Sequence, residues 1–281
     1  MLVMDYLGSF PAVVRLLIAI TLTVGITLLF VRLFHSRSVS LVYVKQPTEQ
    51  DPPRHGDPEE LYEPGKTVDL AGRVIAIVMF AFVFLLAFTI GQFWNNVNQA
   101  LDATQTESAD FSRAMILAQA LPEDKGRDTL VSGLNQYRTD VITIEWPYLQ
   151  AGDSKGAYQA RTRNGEALAK QLQQASSEGA FSVQGESDLS SSIDDMLSDG
   201  TDRINALPDT STTGLIYIIG FLAIMTLAII GAFQLARLSM HLLLMALAAA
   251  VVGALMFTVV ELSNPYDGAE AVVPLLVTSN L

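Results

Sequence analysis

Four apolar stretches, near 12–34, 70–93, 213–236 and 239–260, constrain this chain more than any other feature. A hydrocarbon core of roughly 30 Å needs about 20 apolar residues in a helix that rises about 1.5 Å per residue, and each stretch meets that length. The chain is therefore expected to be integral to a membrane, with lipids as its surroundings. Composition agrees, since only 16% of residues are charged, below the roughly 25% of ordinary soluble domains. The first stretch is longer than a signal-peptide core and no Ala-x-Ala site follows it, so it reads as a retained anchor. No Asn-x-Ser/Thr acceptor occurs, which fits a bacterial cell membrane.

Charge is unevenly placed. Residues 95–212 hold 9 Lys and Arg against 18 Asp and Glu, so this segment carries most of the net charge of −12. An acidic middle argues against nucleic acid as a partner, because phosphate attraction requires a basic face. There is no cysteine, which removes disulfides, thiol catalysis and cysteine-ligated metal. His35, His55 and His241 have no second ligand at i+3 or i+4, and neither a metal nor a cofactor is expected.

The pattern predicts an all-α fold of four transmembrane helices with a soluble helical bundle inserted between spans two and three. The expected divisions are a first span at 1–34, a proline-rich acidic linker at 35–69, a second span at 70–94, the bundle at 95–212, spans three and four at 213–261, and a tail at 262–281. The linker holds Pro47, Pro52, Pro53, Pro58 and Pro64 and is expected to be extended. Arg32, Arg37, Lys45, Arg54, Lys66 and Arg73 flank or lie in it, and Arg237 sits between spans three and four. The positive-inside rule then makes these connections cytoplasmic and puts the bundle outside the cell.

Within the bundle, apolar residues recur at Val97, Leu101, Phe111, Ala114, Met115, Ala118 and Leu121 with a polar gap between, which predicts a helix continuing span two. Pro122, Glu123 and Asp124 have the chemistry of a new helix start. That helix would bury Leu130, Leu134, Tyr137, Val141 and Ile144 and end at Glu145, Trp146 and Pro147. Two further helices are expected at 157–174 and 189–207.

Several residue groups invite a functional reading. Phe80, Phe84 and Phe88 stand at i, i+4 and i+8 in span two and form one row, either a constriction that gates a pore by dewetting or a face for lipid and helix packing. Ala246, Ala249, Ala250 and Gly253 form a small-residue face on span four, suited to close helix approach. Glu261 closes that span, either as an ion ligand or as a marker of the interface. The Pro265, Tyr266, Asp267, Gly268 run has turn chemistry, and the apolar tail after it is expected to lie along the membrane surface. Tyr137, Glu145 and Trp146 could form a ligand pocket, although aromatic packing with the glutamate bonded to a neighbouring amide is the simpler reading. The serines at 187–192 have no histidine in the bundle to activate them and no phosphate-binding glycine loop appears, so an enzyme is not expected.

Taken in order, Leu85-Leu86-Ala87-Phe88-Thr89, Glu107, Leu121-Pro122, Arg127, Tyr137, Glu145-Trp146-Pro147, Gly152, Arg203, Leu207-Pro208 and Glu261-Leu262-Ser263-Asn264-Pro265-Tyr266-Asp267-Gly268 resemble the pattern of the bestrophin-like family of bacterial membrane proteins, over about residues 66 to 275. The chain departs from that pattern in two places. Glu261 stands where the family has Asp, and Asn95, Asn96 and Asn98 replace a basic stretch. The resemblance implies a homo-oligomeric, anion-permeable channel with Phe80, Phe84 and Phe88 at its neck. It also implies a cytoplasmic central domain, whereas the distribution of basic residues puts that domain outside. A membrane-anchored sensor or scaffold that uses the bundle is the rival reading.

Overall fold

The computed structural model describes residues 12–36, 64–122, 125–178, 183–208, 210–232, 238–268 and 271–277. Among them every regular element is helical: α1 (Ala12–Ser36), α2 (Pro64–Gln119), α3 (Lys125–Asp140), a π-helical turn (Val141–Glu145), α4 (Trp146–Gln150), α5 (Ser154–Ser177), α6 (Val183–Asn205), α7 (Thr210–Ala232), α8 (Leu238–Leu262) and a 3-10 turn (Leu275–Val277). The chain divides into two compact units, one made of Met1–Thr89 and Gly214–Val259, the other of Ile90–Thr213 and Val260–Leu281.

α2 runs for 56 residues because nothing in its sequence stops it. Pro64 occupies the first helical position, where a missing N–H is harmless, and no proline follows until Pro122. The helix thus begins inside the expected linker, whose remaining described part, Ser36 and the residues before it, belongs to α1. The prolines at 47, 52, 53 and 58, the pair Glu123 and Asp124, and Arg237 all lie outside the described residues.

In the first unit the exterior is apolar. Leu22, Ile26, Tyr217, Ile224 and Leu247 are all exposed, and α7 and α8 carry apolar residues on every side. A helix apolar all round belongs in a core or in lipid. Two described helices are long and apolar enough to cross a membrane, Ala76–Gln119 and Leu242–Leu262, and Val13–Leu29 and Gly214–Ile230 are shorter apolar helices. Two threonines of α1 are answered within their own helix: Thr23 donates to the Ala19 carbonyl and Thr27 to that of Thr23, both at 2.8 Å. Such bonding lets a hydroxyl sit where no water is available.

The small-residue face of α8 packs as the spacing predicts. Ala249 and Gly253 are buried, and a Cβ at Gly253 would lie 3.0 Å from Thr23 Oγ1 and 3.4 Å from the Ile20 Cα. α1 and α8 therefore meet almost backbone to backbone at this point. Gly253→Val is expected to force these helices apart at a cost of about 1–3 kcal/mol, read as a lower thermal unfolding temperature of the detergent-solubilised protein.

The second unit has a continuous core that includes Phe111, Ala114, Leu130, Leu134, Leu168, Ile193 and Met196. α5 spans 154–177 and α6 spans 183–205, so both begin before their expected starts. α5 starts earlier because Asp153 caps it, its carboxylate accepting the Gly156 N–H at 2.9 Å. The helix containing Tyr137 does not end at Trp146. It passes through the π-helical turn, in which the Trp146 N–H reaches the Val141 carbonyl, and continues to Gln150. Pro147 explains the wide turn, since a proline there would rob a regular α-helix of the bond to residue 143.

The described part of the tail, 271–277, is anchored in the protein core and does not merely lie along a surface. Tyr266, Val272 and Leu276 are buried members of the second unit's core, because Val272 and Leu276 supply apolar area that the helices can cover.

Candidate functional site

Four charged residues of the second unit, Glu107, Glu145, Arg161 and Arg203, are buried where hydrophobic periodicity reserves room for apolar ones. On α2 the core register runs Ala100, Ala103, Thr104, Glu107, Phe111, Ala114; on α5 it runs Ala157, Ala160, Arg161, Asn164, Leu168; on α6 it runs Leu189, Ile193, Met196, Arg203. Helix periodicity thus aims Glu107, Arg161 and Arg203 inward together. The π-helical turn adds a fourth charge, with Val141 and Glu145 as its buried residues.

Arg203 holds the centre. Its Nη1 donates to Glu107 Oε2 and its Nη2 to Glu145 Oε1, in two ion pairs whose side chains are essentially inaccessible to water. Glu107 also accepts the Tyr137 hydroxyl on Oε1 at 2.6 Å, and that hydroxyl in turn accepts from Arg161 Nη1 at 2.9 Å. The chain Arg161, Tyr137, Glu107, Arg203, Glu145 therefore links two guanidinium groups, two acidic side chains and one hydroxyl, five buried groups from four helices and the π-helical turn. Both guanidinium groups also lie over aromatic rings, Arg203 at 5.3 Å from the Trp146 centroid and Arg161 at 5.8 Å from that of Tyr137.

Space around Arg161 is tight. A Cβ at Gly200 on α6 would fall 2.7 Å from Arg161 Nε and 2.8 Å from its Cζ, so a residue without a side chain is what lets the guanidinium cross α6. Several polar atoms in the cluster still lack a partner: Glu145 Oε2, Arg161 Nε, Arg203 Nε and Asn164 Nδ2. Each such atom in a buried place costs about 1–3 kcal/mol, which makes the cluster polar beyond what packing requires.

The segment after α8 docks onto this centre. Asn264 Nδ2 donates to the carbonyls of Leu149 and Gln150 at 3.1 and 2.9 Å, capping the carboxyl end of α4. That end is otherwise closed by bonds from the Gly152 and Asp153 N–H to the Leu149 and Tyr148 carbonyls, at 3.0 and 2.8 Å, with Gly152 at φ 69°. Asn264 Oδ1 accepts the Tyr266 N–H at 3.0 Å, and the Tyr266 hydroxyl donates to the Arg203 carbonyl at 2.5 Å. Tyr266 meets Trp146 edge-on, with ring centroids 5.4 Å apart. Pro265 is buried. Gly268, at φ 107°, closes the turn so tightly that a Cβ there would lie 2.9 Å from Glu261 Oε2.

Electrostatics follow from burial. The Glu145 carboxyl is pushed up to about 8, chiefly by burial and against the pull of the Arg161 guanidinium. Burial pulls Arg203 down to about 10, opposed by Tyr266. The Tyr137 and Tyr266 hydroxyls are driven upward, again mainly by burial, and stay protonated donors. Asp199, farther along α6, is raised to about 6 by burial, by its hydrogen bond to Asp110 and by the charges of Asp110 and Asp202.

Of the residues singled out from sequence, Glu107, Tyr137, Glu145 and Trp146 come together in one cluster, and Glu261, Pro265 and Gly268 belong to the turn that carries Tyr266 into it. The expectation that Glu145 binds a neighbouring amide is corrected: its partner is the Arg203 guanidinium, delivered across 58 residues of chain. Arg161 and Asn164 were not anticipated, although their place in the apolar register of α5 was the available signal. Phe80, Phe84 and Phe88 lie in the other unit as one outward row, 73%, 60% and 51% exposed, with the first two rings stacked at 6.3 Å. An apolar cavity of about 370 Å³ in that unit touches the Thr23 and Thr27 side chains, but their hydroxyls are already bonded within α1 and no charge converges on it. Among the described residues no group of His, Cys, Asp or Glu could hold a metal ion.

A family model described as the Bestrophin-like domain matches residues 52–275, and the chain belongs to that family. The match takes in every residue of the buried cluster and the docked turn. No curated protein and no solved structure matches the chain significantly.

Two outcomes are expected here. Arg203→Met leaves two buried acidic side chains without the guanidinium they share and is expected to destabilise the second unit by about 3–5 kcal/mol; Arg203→Lys rescues little, because one ammonium cannot reproduce the planar fork. Thermal melts followed by far-UV circular dichroism would check both. The second concerns pH. An unfolded Glu145 titrates near 4.5 and the folded one at about 8, so between these values the unfolded chain releases a proton that the folded chain keeps. Its contribution to stability is full below 4.5 and lost as pH rises to about 8. Wild-type melting temperature is therefore expected to fall across that window, and Glu145→Gln to flatten the fall.

Proposed function

We propose that this protein is a non-enzymatic, multi-pass membrane protein that assembles as a homo-oligomer and conducts small anions. Four helices, α1, the apolar part of α2, α7 and α8, would cross the membrane, with the acidic bundle between the second and third. The observation that carries the reading is the row of Phe80, Phe84 and Phe88, which faces away from its own unit with its rings open to a neighbour. In a symmetric ring of chains such a row lines a common axis, and a narrow apolar collar there holds back water until it widens. Membership of the bestrophin-like family supports this reading.

On the distribution of basic residues, the bundle lies outside a bacterial cell membrane and the connection before α2 lies in the cytoplasm. No nucleic acid and no cofactor takes part. A sensor or scaffold built on the bundle is the competing reading, and a tight vesicle favours it.

Reconstituted into liposomes loaded with chloride, the wild-type protein is expected to release the anion, and Phe84→Ala to raise the rate by about tenfold, the equivalent of about 1.4 kcal/mol from the barrier. Native mass spectrometry of the same preparation should show a closed oligomer. Vesicles that stay tight around a monomer or dimer would remove the pore.

A further inference from the structure

The exterior of the second unit keeps its charges apart by sign. On α6 the acids Asp188, Asp195, Asp199 and Asp202 recur at i, i+7, i+11 and i+14 and form one stripe, while the single cation of that helix, Arg203, is buried. On α5 the cations Lys155, Arg163 and Lys170 recur at i, i+8 and i+15, all three exposed, with Glu166 the one acid of the helix. Among the described residues none of these three cations pairs with an acid of its own chain; Arg163 only donates to the Gln159 carbonyl of its own helix at 3.3 Å.

The two stripes run at matching heights. α5 and α6 lie antiparallel: the Tyr158 hydroxyl donates to Asn205 Oδ1, a Cβ at Gly165 would sit 3.5 Å from Leu197 Cδ2, and Ser176 Oγ donates to Glu186 Oε1 at 2.7 Å. These ties put Arg163 level with Asp199. Lys170 falls within about one turn of the level of Asp195, and Lys155 within about a turn and a half of that of Asp202. The acids turn toward α2, where Asp199 and Asp202 line a polar groove of about 520 Å³ with Asn98, Asp102 and Thr106. There Asp199 hydrogen-bonds the Asp110 carboxyl, so like charges crowd one side of the bundle while cations stand open on α5.

We propose that the α2–α6 groove of one copy of this chain receives the basic face of α5 from the next copy, Arg163 reaching Asp199 of its neighbour and the two lysines reaching Asp195 and Asp202. Such a contact joins two different faces, so it propagates around a ring instead of stopping at a pair. In a ring whose axis runs along the bundle each copy stands at its neighbour's height, and residues level within one copy meet across the contact. One exposed ion pair adds little, whereas three cations set together against a row of acids fix the register and reject a shifted one. The inference rests on the homo-oligomer of the proposed function and not on conduction.

The chain holds no cysteine, so single cysteines report contacts without background. Arg163→Cys and Asp199→Cys chains, co-expressed and reconstituted in lipid, are treated with a short bis-maleimide and read as covalent dimers on a denaturing gel. The mixture is expected to give dimers and each variant alone to give none, because position 163 meets 199 and neither meets itself. Lys155→Glu with Lys170→Glu on the Arg163→Cys chain should lower the dimer yield by about tenfold. Asp195→Lys with Asp202→Lys on the Asp199→Cys chain should then restore it. A wild-type oligomer by native mass spectrometry with no dimers from the mixture overturns the docking and leaves assembly standing; a wild-type monomer overturns both. Dimers from either variant alone would mean a two-fold contact and overturn it too, as would a yield indifferent to the charge reversals.

Discussion

A guanidinium sealed from water and shared by two acidic side chains of separate elements is the constraint around which the second unit is arranged. Arg203 can be buried only if its charge is answered and its donors are used. Glu107 on α2 and Glu145 on the π-helical turn answer the charge. Their placement in turn fixes the register of α6 against both partners, since a slip by one residue would turn Arg203 away from the core. Gly200 has to be small for Arg161 to pass, and Tyr137 has to present its hydroxyl between Arg161 and Glu107. Removing Arg203 leaves Glu107 and Glu145 without the donor they share.

Such a cluster is poorly explained as a source of stability. Buried ion pairs often do no better than well-packed apolar residues of the same volume, because desolvation offsets their attraction. Here four polar atoms are left over in addition. What the cluster supplies is definition: it admits one arrangement of α2, α3, α5 and α6, and it offers fixed docking points, the Arg203 and Leu149 carbonyls and the Trp146 ring, to a segment more than 60 residues away along the chain from Arg203. The two units also follow different solvation rules. In the first, the Thr23 and Thr27 hydroxyls turn back on their own helix and apolar side chains face outward; in the second, Glu107, Glu145, Arg161 and Arg203 face inward.

Much of this was written in the sequence. The all-helical character, the continuation of span two into the bundle, and the close approach at Gly253 all follow from local pattern: apolar periodicity, the lack of a helix breaker between Gly91 and Pro122, and a stripe of small residues. Tyr137, Glu145, Trp146, Pro265 and Gly268 were also visible as features, whereas Glu107 stood out only through the family resemblance, because apolar periodicity left it in a polar gap. Apolar register applied to α5 would have found Arg161 and Asn164, whose neighbours Ala157, Ala160 and Leu168 mark the buried stripe.

Partnership, by contrast, was decided only in three dimensions. Hydrophobic periodicity states which way a side chain points along its own helix and nothing about what it meets, so Glu145 could be expected inward but not against Arg203. The carboxyl-terminal segment shows the same limit: its apolar residues suit a membrane surface and a protein core equally well, and burial of Tyr266, Val272 and Leu276 depended on a core that exists only once the helices have packed. The sequence by itself determined the all-helical class of the fold, because helix formation and amphipathicity are local. Tertiary structure alone determined which charges pair and where the tail comes to rest, because those depend on distances between residues far apart in the chain.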